Sequence, residues 1–90
     1  MYEIRFDPKA EKVVAKWKKS NSILFNKLRN VLKDIMLHPR SGLGHPEPLI
    51  GGKDMIYSRH ISANNRIIYS IHDKEVFVVV VELGGHYADK

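Results

Sequence analysis

The chain contains no cysteine, which excludes a disulfide framework and every thiolate metal site. It also lacks a long hydrophobic run: VFVVVV at 76–81 is the longest and is far too short to span a bilayer. The opening MYEIRFDPKAEK alternates and has no apolar segment of the secretory-signal kind, which predicts a cytoplasmic protein with no membrane partner. Neither GxxxxGKS/T nor GxGxxG occurs, and GxSxG is missing too, so phosphate loops and nucleophile elbows have no support. The five histidines form no HExxH motif and no i, i+4 pair; no metal and no cofactor are expected. Acidic residues are the scarcer sign, ten against fifteen Lys and Arg, for a formal charge of +5. Such a field favours an anionic partner, either nucleic acid or an acidic protein.

Ninety residues, 43% of them hydrophobic and 28% charged, make one globular domain spanning 1–90. YEIRFD alternates Tyr2, Ile4 and Phe6 against Glu3, Arg5 and Asp7, the pattern of a half-buried strand. Asp7-Pro8 reads as cap and first helical residue, and Ala10, Val13, Val14 and Trp17 predict a helix over 8–19. KSNS breaks it, and Leu24, Leu28, Val31 and Ile35 predict a second helix over 22–37, stopped at His38-Pro39. Residues 39–54 form a long connection, of a length that accompanies either function or disorder. MIYSRHI (55–61), RIIYSIH (66–72) and VFVVVVEL (76–83) follow as strands, the last apolar on both faces and so expected to be central and covered. The order β-α-α-β-β-β predicts an α+β fold: a helical hairpin packed on one face of a four-stranded, mostly antiparallel sheet.

The long connection holds one acid very stiffly. Glu47 stands between Pro46 and Pro48, with Gly42, Gly44, Gly51 and Gly52 around it. Flanking prolines limit the conformations of the acid and remove two backbone donors. Arg66 opens a strand, and GGHY at 84–87 leaves the last one. Each has a plainer reading: a solvated acid, an edge-strand charge, a terminal aromatic over the core. Together they suit RNA cleavage. A carboxylate can take the 2′-OH proton and an imidazole can protonate the leaving oxygen. A guanidinium matches the charge of a phosphorane, and an aromatic ring stacks a splayed base.

GLGHPEPLIGG, YSRHISANNRIIYSI and the closing GGHY resemble the YoeB/Txe branch of the RelE superfamily, the toxins of type II toxin–antitoxin modules. The resemblance covers essentially the whole chain and implies a RelE-like fold. It implies a metal-independent, ribosome-dependent mRNA endoribonuclease (an mRNA interferase) with ribosome and mRNA as partners. A cognate acidic antitoxin of the YefM/Axe kind is implied as well, and a homodimer is left open. By correspondence Glu47 would be the general base, Arg66 the transition-state cation, His86 the general acid, and Tyr87 the group that positions or stacks the substrate. Arg59, His60, Lys53, Lys16 and Lys19 would bind RNA. Three departures stand out: His60 replaces the second arginine of an SRR segment, Gly84-Gly85 precede His86 where relatives often carry bulkier residues, and Ala88, Asp89 and Lys90 follow Tyr87, where many relatives stop.

Two other readings remain open from the residues. A non-catalytic module of the same fold would grip RNA or an antitoxin with this surface, but binding has no need of an acid beside phosphate. A DNA-binding repressor lacks a recognisable helix-turn-helix.

Overall fold

The computed structural model describes residues 1–50 and 55–85, the side chain of Ile50 excepted. The elements run β1 (Glu3–Phe6), α1 (Pro8–Ser20), α2 (Ser22–Leu37), β2 (Glu47–Ile50), β3 (Ile56–Ser62), β4 (Asn65–His72) and β5 (Phe77–Gly85).

Local chemistry sets the helix limits. Asp7 accepts the Lys9 N–H at 2.9 Å, and Pro8 fills a first-turn position where no N–H is needed. Asn21 serves both helices: its N–H donates to the Trp17 carbonyl at 2.8 Å, and its side chain accepts the Leu24 N–H at 3.1 Å. One residue thus ends α1 and starts α2, which forces a tight hairpin. Leu24, Leu28, Val31 and Ile35 recur at helical spacing and are all buried, against Ile67, Tyr69, Ile71, Val78 and Val80 of the sheet.

The sheet has five strands in the order β1-β5-β4-β3-β2. Only the β1–β5 pair is parallel. The α+β class and the helical hairpin agree with the sequence, and one strand more is present than the four expected. Part of the long connection is strand β2, with Glu47 paired to Ser58 and Pro48 to Tyr57. Proline is tolerated there because β2 is an edge strand and the missing N–H costs no interior ladder bond.

β5 lies inside the sheet, as its apolar run predicts, with Val78 and Val80 0% exposed. Its cover is one-sided, which corrects the expectation for this strand. Val79, on the face away from the core, is only half-buried. A bulge then changes the alternation: Ile68 opposes Glu82 while Tyr69 opposes Val80, leaving Val81 as the extra residue. Beyond it Leu83 turns inward and Glu82 outward.

Candidate functional site

Strand register places the candidate residues. Residues opposite one another in antiparallel strands project to the same face, about 4.5–5.5 Å apart. On the face away from the helices, Glu47 pairs with Ser58, Ser58 with Ile68, and Ile68 with Glu82. The adjacent row holds His60 paired with Arg66, and Arg66 with Gly84. Glu47, His60 and Arg66 therefore share one patch on three neighbouring strands. Its edge carries His45, whose ring meets that of His60 edge-on at 6.5 Å between centroids. Glu47 is exposed, and His60 and Arg66 are half-buried. Ser58 and Ile68, between them, are only 3% and 6% exposed. Among the described residues neither Glu47 nor Arg66 is held in an ion pair.

Arg59 behaves differently, although it sits between Ser58 and His60. It pairs with Ile67 and so points to the core side, where it is 1% exposed. All five of its N–H groups are engaged. Nε donates to the Tyr69 hydroxyl at 2.9 Å; Nη1 donates to Asp34 Oδ2 at 2.6 Å and to the Leu43 carbonyl at 3.0 Å; Nη2 donates to the Ser41 carbonyl at 2.9 Å and to the His38 carbonyl. The expectation that Arg59 binds RNA phosphate is corrected. Strand alternation turns it away from the open face, and it has no donor left over.

The same cluster organises the connection. Tyr69 donates its hydroxyl hydrogen to the Pro39 carbonyl at 2.7 Å, and Asp34 Oδ2 accepts the Leu43 N–H at 3.0 Å. The Arg59 guanidinium holds the Asp34 carboxyl below the ordinary carboxylate range, with the Leu43 N–H assisting. Burial pushes the Tyr69 phenol upward, against the opposing influence of Arg59. Gly44 (φ +77°) passes so close to the His60 carbonyl that a Cβ would collide with it, and the His60 N–H donates to the Gly44 carbonyl at 2.7 Å. A second clamp fastens the start of the segment: Arg40 donates to both Asp73 oxygens, at 2.7 and 3.3 Å, and Tyr2 to one at 2.6 Å. These bonds hold Asp73 below its usual range.

A sequence profile described as the YoeB-like toxin of bacterial type II toxin-antitoxin system matches residues 6–87. The chain belongs to this toxin family. It is 32% identical over 76 residues to Toxin YoeB of Mycobacterium bovis, covering 84% of this chain and 89% of the relative. The fold superposes on the YoeB/ParE toxin from Agrobacterium tumefaciens with a TM-score of 0.85 at 24% identity, covering 94% of this chain and 99% of that one. It also superposes on the toxin of a YoeB-YefM complex from Staphylococcus aureus, with a TM-score of 0.81 at 26% identity over 97% and 99% of the two chains.

In this toxin the residues singled out from sequence, the buried Arg59 apart, divide into three groups. Glu47, Arg66 and His60 converge on the open sheet face. Lys16 and Lys19 are exposed on α1, in the layer behind the sheet, and are not part of that patch. His86, Tyr87 and Lys53 lie outside the described residues. Sequence reasoning passed over Asp34 and Tyr69. Asp34 carried a signal: it is an acid in the last turn of α2, where the helix dipole disfavours negative charge and calls for a compensating cation. Glu82, opposite Ile68 in the Glu47 row, was hidden by the β5 bulge. Among the described residues no three His, Asp or Glu side chains converge as metal donors, and no helix is long and apolar enough to cross a membrane.

Proposed function

We propose that this toxin is a ribosome-dependent endoribonuclease that cuts mRNA by attack of the substrate's own 2′-OH, with no metal at the chemical step. The observation that carries this reading is the convergence of Glu47 and Arg66 on one open sheet face, set by the register of β2, β3 and β4. The Glu47 carboxylate takes the 2′-OH proton, and O2′ attacks the adjacent phosphorus. Arg66 faces the negative charge that gathers on the phosphorane oxygens. The P–O5′ bond then breaks, and His86 gives a proton to O5′ while Tyr87 stacks a neighbouring base. The products are a 2′,3′-cyclic phosphate and a 5′-OH. His60 adds an imidazole beside Arg66, on the substrate side, as an RNA contact; Lys53 adds a cation. The exposed Lys16 and Lys19 bind ribosomal RNA from the helical side.

The cytoplasmic partner is an acidic antitoxin, consistent with the charge of +5 and with the complex that the Staphylococcus aureus relative forms with YefM. Dimerisation has a parallel in the YoeB dimer from the same organism. The deciding substrate is an mRNA with one 2′-deoxy nucleotide immediately 5′ of the scissile phosphate. It should bind the ribosome and toxin normally and remain uncut in primer extension. Cleavage at that bond leaving a 5′-phosphate would mean that water attacks, and would overturn the mechanism.

A further inference from the structure

Arg59 sits at a position in β3 where the two sides of the sheet perform different tasks. Its neighbours Ser58 and His60 face the open patch, paired to Glu47 and Arg66. Its own side chain goes the other way and ends among three carbonyls of the 38–43 segment, beside Asp34 and Tyr69. That segment leads through Gly44, whose carbonyl accepts the His60 N–H, and Pro46 directly to Glu47. A charge with 0% side-chain exposure is costly to bury unless every donor is matched, and here the donors are matched largely by the backbone that delivers the acid.

We infer that Arg59 is the positioning residue for Glu47: through its fork it sets the path of residues 38–46 and hence the position of the carboxylate over the patch. The inference rests on the proposed role of Glu47 as general base. The fork is what suits arginine to the task. Its donors are planar and fixed in direction, so they register several carbonyls at once. Lysine, with three donors on one rotating nitrogen, keeps the charge but cannot hold the same set. A misplacement of the base by about 1 Å costs up to about 100-fold in rate. A phosphate contact, by contrast, would govern binding and its salt dependence.

The test is a cycle of Arg59→Lys, Glu47→Gln and the double variant, each confirmed as folded by thermal melting. Single-turnover cleavage of ribosome-bound mRNA is measured along with binding across a salt series. Arg59→Lys should lower the cleavage rate about 10- to 100-fold while leaving affinity and salt slope unchanged. The loss should disappear in the Glu47→Gln background, because a base that is absent cannot be mispositioned. Equal losses in both backgrounds would overturn the inference. So would an unchanged rate in Arg59→Lys, or weakened binding with a shallower salt slope at an unchanged rate. A fully active Glu47→Gln would instead remove the underlying mechanism, and the inference with it. If Arg59→Lys does not fold, Tyr69→Phe decides. It keeps the guanidinium but removes both the acceptor of its Nε hydrogen and the bond to the Pro39 carbonyl, and it should show a smaller loss of rate with the same dependence on Glu47. A folded Tyr69→Phe with the native rate would then overturn the inference.

Discussion

Arg59 and Asp34 meet at 2.6 Å, with the guanidinium wholly buried and the carboxylate 19% exposed. The pair joins the last turn of α2 to the middle of β3, and it leaves Arg59 charged in the interior if its partner is removed. Asp34→Ala should therefore destabilise the domain by about 3 kcal/mol, the lower end of the cost of breaking a buried pair, as read from urea unfolding.

The same pair predicts an acid limb. Asp34 has a folded pKa depressed chiefly by the Arg59 hydrogen bond. Its stabilisation is therefore complete above the unfolded carboxylate range and is lost as pH falls through the depressed value. Asp73, held by Arg40 and then Tyr2, acts in the same direction, but its side chain is 49% exposed and solvent screening reduces its share. Melting temperatures between pH 6 and pH 3 should fall less steeply in Asp34→Asn than in the native toxin. Parallel slopes would mean that the pair does not couple folding to protons.

Glu47→Gln should retain the fold, because Glu47 is exposed at the start of an edge strand. Cleavage should slow by about 10²–10⁴-fold, the usual share of a general base. Single-turnover cleavage at the native rate would exclude Glu47 from the chemistry.

Gly44→Ala tests the route by which the connection reaches the sheet. A side chain there meets both a left-handed backbone (φ +77°) and the His60 carbonyl. Strain of about 1–3 kcal/mol should appear in denaturant unfolding. Cleavage should weaken as well, since residue 44 stands three positions before Glu47.

Lys16 and Lys19 lie in the helical layer, apart from Glu47 and Arg66. Replacing both with Ala should weaken ribosome binding and reduce its log–log salt slope by up to about 0.9 for each phosphate that is no longer neutralised. The rate at saturating toxin should stay native. A lower saturated rate at unchanged affinity would place these lysines in the chemistry.

Much of this was legible along the chain. The strand pattern of Tyr2, Ile4 and Phe6, the helical stripe of Leu24, Leu28, Val31 and Ile35, and the cap at Asp7-Pro8 are local regularities of period two or about 3.6 or of residue type, and all three appear in the fold. Glu47 and Arg66 drew attention by their chemistry and setting, and register does bring them to one face. Arg59 stands out by its place in SRH, yet its environment is the opposite of the solvent-facing one that a phosphate contact requires. Its own strand alternation pointed inward, but an arginine is rarely expected in a core.

The sequence by itself determined the element types, the helical hairpin, the apolar interior strand and the family, because these depend on spacing and residue type within short windows. Only the tertiary structure decided that EPLI becomes an edge strand, that the β5 bulge turns Glu82 outward, and that Arg59 is buried against Asp34, Tyr69 and three carbonyls. Each of these depends on groups brought together from distant parts of the chain: Glu47 on Ser58, Glu82 on Ile68, Arg59 on Asp34. A buried guanidinium is stable only when all its donors are matched at once, and that condition is set by three-dimensional convergence rather than by any local pattern.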